Sequence, residues 1–157
     1  MVNQTPEQRA RDQIDRQLGL AGWVVQDSKA INFNAGPGIA VREYQTDVGP
    51  ADYGLFVEKK AVGVIEAKPE AWGHKITTVE EQSTGYANAT LKWVNNQAPL
   101  RFVYESTGVI TRFTDGQDPK PRARELFNFH RPETLVGWLS QPGTLRHRLQ
   151  NLPSLNT

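Results

Sequence analysis

The chain has 157 residues, the length of one domain, and its 38% hydrophobic content is sufficient for a buried core. Its formal net charge of +1 gives no global positive field for nucleic acid, and the lack of cysteine excludes disulfides, thiolate nucleophiles and sulfur-ligated zinc sites. No apolar run approaches the ~20 residues of a membrane span, and the polar N-terminus lacks a signal-peptide core. These features predict a cytoplasmic protein without membrane association.

The first predicted element is a helix that begins at Thr5 and Pro6. Thr5 is a suitable N-cap, Pro6 suits the first helical position, and Gln8 completes a capping box. Apolar residues then follow at helical spacing, namely Ala10, Ile14 and Leu18. We expect the helix to end near Gly19 or Gly22.

Extended segments and a glycine-rich loop follow the helix. Residues 23–25 begin an extended segment, residues 33–38 form the loop, and residues 39–45 have the composition of a strand. Residues 51–57 and 61–68 are the most apolar pair of strands and predict a hairpin. A second helix is predicted from Thr77 or Thr78 to about residue 90.

The C-terminal part predicts a second hairpin and a last helix. Residues 101–106 and 109–116 form the hairpin, residues 118–134 are mostly loop, and a helix begins near residue 132 and continues through Trp138. The whole pattern predicts an α/β (α+β) domain with a mixed central sheet flanked by helices.

Charged residues end the first hairpin, at the side away from its turn. If residues 58–60 form a three-residue loop, Val57 pairs with Ala61, and the same register sets Asp52 opposite Glu66. A five-residue loop in the same register is also possible, because residues 58–60 contain no glycine. An even-numbered loop without a bulge would turn Asp52 to the opposite face.

Alternation along the second strand places Lys68 on the same face as Glu66. Two adjacent carboxylates repel each other, and a divalent cation is one arrangement that removes this cost. A neighbouring lysine can hold an attacking water or stabilise charge on a phosphoryl oxygen, which is the chemistry of phosphodiester hydrolysis. The alternative is that Lys68 bridges Asp52 and Glu66 as a surface ion pair.

Two further features extend this hypothesis, and each has a structural alternative. Glu7 lies on the apolar stripe of the first helix, where it could reach the acidic cluster or could simply favour the helix dipole. Gln82 and Tyr86 share a helix face, where they could bind a phosphate or orient the lysine, or could form an ordinary helix interface.

The motif set Asp52, then Glu66-Ala67-Lys68, then Gln82-x-x-x-Tyr86, resembles the PD-(D/E)xK nuclease superfamily in its RecB-like branch. Longer phrases such as ADYGLFVEKKAVGVIEAK and FHRPETLVGWL resemble the N-terminal region of type I restriction enzyme R (motor) subunits. The resemblance covers nearly the whole chain. One departure is that Pro50 is not adjacent to the acid, since Ala51 intervenes.

The resemblance implies a restriction-endonuclease-like fold and an endonuclease that cuts double-stranded DNA with Mg²⁺, for which Mn²⁺ is a possible substitute. The metal ligands it implies are Asp52, Glu66, the backbone carbonyl of Ala67, and Glu7. The catalytic set it implies is Asp52, Glu66, Lys68 as the water-positioning group, and Gln82 with Tyr86 as support for DNA or for the lysine.

The resemblance also implies a domain organisation and partners. Residues 1–148 would be the endonuclease domain and residues 149–157 a linker toward a helicase-like motor. No G-x-x-x-x-G-K-[ST] motif is present, so ATP would bind only elsewhere in a full-length subunit. The methylation and specificity subunits of the restriction complex would be its partners.

Phosphate contacts are predicted in two loops. The candidate DNA-binding residues are Lys75, Lys120, Arg122 and Arg124. Two other functions fit the motifs: a nuclease-like module that holds DNA or docks subunits without cutting, and a nuclease that acts on RNA or on DNA ends.

Overall fold

The computed structural model describes residues 5–46, 49–69, 100–117 and 123–141. In these ranges the elements are α1 (Pro6–Leu20), β1 (Val24–Asp27), β2 (Gly38–Thr46), β3 (Gly49–Val57), β4 (Lys60–Ala67), β5 (Phe102–Ser106), β6 (Thr111–Asp115), β7 (Arg124–Leu126) and α2 (Pro132–Leu139). The predicted first helix, both hairpins and the last helix are confirmed. The predicted helix at 77–90 and the predicted linker at 149–157 lie outside the described residues.

Helix α1 begins at the capping box that its sequence predicts. The Thr5 side chain accepts a hydrogen bond from the Gln8 backbone N–H (3.1 Å), and the Gln8 side chain accepts one from the Thr5 N–H (3.1 Å). The apolar stripe is buried, with Ala10, Ile14 and Leu18 each at most 2% exposed. The cap and the stripe together fix the helix against the sheet.

The described strands form one mixed sheet of seven strands in chain order, β1 to β7. The β1–β2 and β4–β5 pairs are parallel, and the remaining pairs are antiparallel. This confirms the predicted mixed sheet. The prediction that residues 118–134 are mostly loop missed β7, whose three residues pair with β6. Its charged composition gave no strand pattern, and only the pairing with β6 defines it.

The predicted three-residue loop of the β3–β4 hairpin is wrong. The turn has two residues, Glu58 and Lys59, with φ of 51° and 65°, and Val57 pairs with Lys60. Such a turn matches the right-handed twist of the strands because both central residues have positive φ. A bulge between Leu55 and Phe56 then restores the register that the longer loop would have given.

The consequence of the bulge is visible in the pairing beyond it. Gly54 pairs with Val64, as the sequence predicts, whereas Phe56 pairs with Ala61 rather than Val62. The extra residue, Val62, joins the core. An even-numbered turn and a bulge therefore together preserve the predicted orientation of β3 relative to β4.

The main core lies between the two described helices and one face of the sheet. Ile65 and Ala67 of β4 belong to this core cluster, together with Ile14 of α1 and Leu135 of α2. Val64 belongs to a separate buried cluster. Because side chains alternate along a strand, Glu66 and Lys68 follow Val64 to the face away from α1 and α2. Among the described residues, no helix has the length and apolar character needed to cross a membrane.

Candidate active site at the open end of the hairpin

Asp52 lies where the β3–β4 pairing ends. The last paired residues are Tyr53 and Ile65, and the same register continued by one residue sets Asp52 opposite Glu66. The Ala67 backbone N–H donates a hydrogen bond to Asp52 Oδ2 (2.8 Å). The structure thus brings the Asp52 carboxylate to the end of β4 where Glu66 and Lys68 lie.

Glu66 and Lys68 are held by the parallel pairing of β4 with β5. Glu66 pairs in register with Glu105, and the Lys68 backbone N–H donates to the Ser106 carbonyl (2.8 Å). Glu66 Oε1 is buried. Backbone hydrogen bonds to β5 therefore fix the main chain of Glu66 and Lys68 at the end of a central strand.

Glu105 is a further acid in the site that the sequence analysis missed. It is half-buried and faces the same side of the sheet as its register partner Glu66. Burial raises the pKa of Glu105, and the positive charge of Lys68 opposes this shift. The available signal was an acid at an alternating position within the apolar strand FVYES, the same signal that singled out Glu66.

Arg11 on α1 is the second group that the sequence analysis missed. Its guanidinium donates a hydrogen bond from Nη2 to Asp52 Oδ1, and its Nη1 lies 3.6 Å from Glu43 Oε1. Burial opposes a charged Arg11, but the hydrogen bond and the charge of Asp52 outweigh this and raise its pKa. The sequence signal was weak: Arg11 lies four residues after Glu7, which places both on one side of the helix.

Tyr53 fixes α1 beside the site. Its hydroxyl lies 2.6 Å from Asp15 Oδ1 and 3.0 Å from the Arg11 carbonyl oxygen. Burial, followed by the hydrogen bond to Asp15, raises the pKa of Tyr53 well above its usual value, so the phenol stays protonated. Because Tyr53 adjoins Asp52, this contact holds the Arg11 backbone close to the Asp52 carboxylate.

Glu43 has an unusual backbone for a residue within a strand. Its φ is 53°, and its neighbours Arg42 and Tyr44 pair with Tyr53 and Ala51, which places Glu43 across from Asp52. A left-handed non-glycine residue carries backbone strain, and such residues cluster at functional sites. The strained residue here is one of the two acids that contact Arg11.

The structure describes only some of the remaining predicted site residues. Glu7 lies in α1, but its side chain is outside the described part of the chain. The other predicted residues outside it are Gln82, Tyr86, Lys75, Lys120 and Arg122. Arg124 lies exposed on β7, which β5 and β6 separate from β4. These roles stay predictions.

The donor set fits a hard divalent cation. Within the described ranges, no three His, Cys, Asp or Glu residues are grouped closely enough to hold a metal ion. Mg²⁺ typically uses only one or two carboxylates, with waters and substrate phosphates as its other ligands. Asp52 and Glu66, with the Ala67 carbonyl, supply hard oxygen atoms of this kind.

The family described as the second domain of the type I restriction enzyme EcoKI endonuclease subunit matches residues 24–110. The chain belongs to this family. The type I restriction enzyme EcoKI endonuclease subunit of Escherichia coli (strain K12) is 42% identical over an alignment of 187 positions, which covers 87% of this chain and 16% of that subunit. The resemblance to type I restriction enzyme R subunits is thereby confirmed.

A solved structure has the same fold. It is a fragment of a protein assigned as the HsdR subunit of a type I restriction enzyme from Vibrio vulnificus YJ016. The TM-score is 0.55 at 20% identity, over 87% of this chain and 25% of that one. The chain therefore spans a quarter or less of the length of either relative.

Proposed function

We propose that the chain carries the endonuclease site of a type I restriction enzyme R subunit, and that it hydrolyses phosphodiester bonds of double-stranded DNA with Mg²⁺. Mn²⁺ would be a substitute ion. One observation carries the proposal: the hydrogen bond from the Ala67 N–H to Asp52 places that carboxylate at the same strand end as Glu66 and Lys68. Membership of an endonuclease-subunit family supports it.

The described residues would divide the chemistry among them. Asp52, Glu66 and the Ala67 carbonyl would hold the cation, which when bound supplies a Lewis acid for the scissile phosphate. Lys68 would orient the attacking water and face the negative charge that develops on the phosphoryl oxygens. Glu105 lies close enough to Lys68 for the positive charge of the ammonium to act on its carboxyl group.

Further predicted groups, most of them outside the described ranges, would complete the site and bind DNA. Glu7 would add a further acid, and Gln82 with Tyr86 would support the DNA or the lysine. Phosphates would be held by Lys75, Lys120, Arg122 and Arg124. With a net charge of only +1, the domain would bind DNA weakly, and affinity would come from the assembled complex in the cytoplasm.

The larger assembly is part of the proposal. Residues 1–148 would form the endonuclease domain, followed by a linker at 149–157 toward an ATP-dependent motor. The methylation and specificity subunits would bring the full-length subunit to DNA. ATP would bind to the motor and not to these 157 residues, whose sequence has no P-loop motif.

The test substitutes Asp52→Asn, Glu66→Gln and Lys68→Met in the full-length R subunit, assembled with its partners. Each variant should lower DNA cleavage by about 100-fold or more while ATP-driven translocation continues. The matched control is Glu133→Gln, an exposed acid on α2 that pairs only with Arg131 among the described residues. Normal cleavage by the Asp52→Asn enzyme would refute the proposed site. If none of the three variants loses cleavage, the result would favour the alternative that this chain is a module that holds DNA or docks subunits.

A further inference from the structure

Among the described residues, the arginines Arg42 and Arg11 form ion pairs between α1 and the strands β2 and β3, and their guanidinium groups differ in how well they are satisfied. Arg42 contacts Asp15 through both Nε and Nη2, so that two nitrogens meet two carboxylate oxygens. Arg11 contacts Asp52 through Nη2 alone, and its buried Nε has no hydrogen-bond acceptor among the described residues. The first is a bidentate structural pair, whereas the second leaves part of the guanidinium unsatisfied.

We propose that Arg11 and a bound cation compete for the Asp52 carboxylate, and that cation binding transfers the Arg11 guanidinium from Asp52 to Glu43. The inference rests on the proposed function, because it concerns the same Asp52 carboxylate. It assigns Arg11 a role in setting cation affinity and Glu43 a role as the alternative acceptor.

Electrostatics favours this exchange. Asp52 has one oxygen on the Ala67 N–H and the other on Arg11, so a cation that approaches this carboxylate meets the guanidinium at short range. Two positive groups on one carboxylate repel strongly at such distances, even near a protein surface. The guanidinium therefore has to leave Asp52, or the cation binds weakly.

Glu43 is placed to receive the guanidinium. Its carboxylate is already 3.6 Å from Arg11 Nη1, and its side chain is 73% exposed, compared with 18% for Asp52. A solvated carboxylate can reorient toward Arg11 at little cost, whereas the half-buried Asp52 is held by the backbone of Ala67. The left-handed backbone of Glu43 across from Asp52 is consistent with a local functional constraint.

The experiment measures Mn²⁺ affinity of the 157-residue chain by titration calorimetry at low salt. Arg11→Met should tighten binding about 10-fold, because it removes one positive charge beside the site. Glu43→Gln should weaken binding about 3-fold, because the guanidinium loses its second acceptor. In the double variant the Glu43→Gln effect should vanish. Arg42→Met is the matched control and should leave the affinity unchanged.

Circular dichroism verifies the fold of each variant, and Arg11→Gln serves as a second neutral replacement. Unchanged or weaker binding in the neutral Arg11 variants overturns the inference, since a purely positioning arginine would give that result. A Glu43→Gln effect that persists without Arg11 overturns the transfer to Glu43.

Failure of the proposed function is distinguishable with Asp52→Asn. If this variant binds Mn²⁺ as tightly as the unsubstituted chain, the proposed cation site itself is refuted. If Asp52→Asn abolishes binding while Arg11→Met changes nothing, only the present inference falls. If neither the unsubstituted chain nor Arg11→Met binds Mn²⁺, both fall.

Discussion

The turn between β3 and β4 gives a stability prediction whose size follows from the backbone. Glu58 and Lys59 both have positive φ, although neither residue favours it. A left-handed conformation costs an ordinary residue about 1–2 kcal/mol. Asparagine tolerates it better, and glycine adopts it freely at an entropy cost of about 0.5–1 kcal/mol. Glu58→Asn with Lys59→Gly should therefore raise the free energy of unfolding by about 1 kcal/mol.

Urea unfolding followed by circular dichroism measures this difference, and the melting temperature should rise by about 2–4 °C. Both side chains are exposed, so their replacement removes no core packing. The opposite control is Lys59→Val, whose β-branched side chain disfavours positive φ and should lower stability by about 1 kcal/mol. Equal stability of all three proteins would refute the assigned turn. Mn²⁺ affinity should not change, because the bulge that sets the register at Asp52 is untouched.

Two other stability predictions follow from the core. Burial lowers the pKa of His130 to about 4, so the unfolded chain binds a proton first as the pH falls below about 6.5. The free energy of unfolding, measured by urea titration, should fall by about 2 kcal/mol from about pH 7 to about pH 5. His130→Gln keeps a hydrogen-bonding group for Tyr104 and should remove most of this pH dependence. Gly63→Ala should cost about 2 kcal/mol in urea unfolding, because its Cβ would lie 2.5 Å from the Phe102 carbonyl oxygen. Gly19→Ala, with nothing within 4 Å, should be neutral or stabilising, and equal losses at both glycines would contradict the close strand approach.

The sequence was sufficient to predict elements whose stabilising contacts join residues close together in the chain. The capping box of α1 and its apolar stripe involve residues within one helix, and both are present as expected. The turn length was not predictable in the same way, since Glu58 and Lys59 carry no glycine or asparagine signal. Strand twist selected the two-residue turn there, and the bulge compensated for it.

The candidate site was predictable only along the hairpin. Counting through a three-residue loop set Asp52 opposite Glu66, and the structure keeps this register only because the bulge offsets the two-residue turn. Arg11 reaches Asp52 from a helix 41 positions earlier in the chain. Glu105 reaches Lys68 through the parallel pairing of β4 with β5. Neither contact follows from spacing, because the first depends on how α1 packs on the sheet and the second on which strands become neighbours.

The hydrogen bond from the Ala67 N–H to Asp52 has a consequence for strand geometry. A side-chain oxygen stands where the opposite strand would normally supply a backbone carbonyl, immediately beyond the last Tyr53–Ile65 pair. The two strands can therefore diverge there without leaving a buried donor unsatisfied. The pairing of β3 with β4 ends at Asp52, and Asp52→Ala would remove the acceptor of the Ala67 N–H as well as a charge. Asp52→Asn keeps an acceptor oxygen for the Ala67 N–H, so this substitution tests the role of the charge without removing the hydrogen bond.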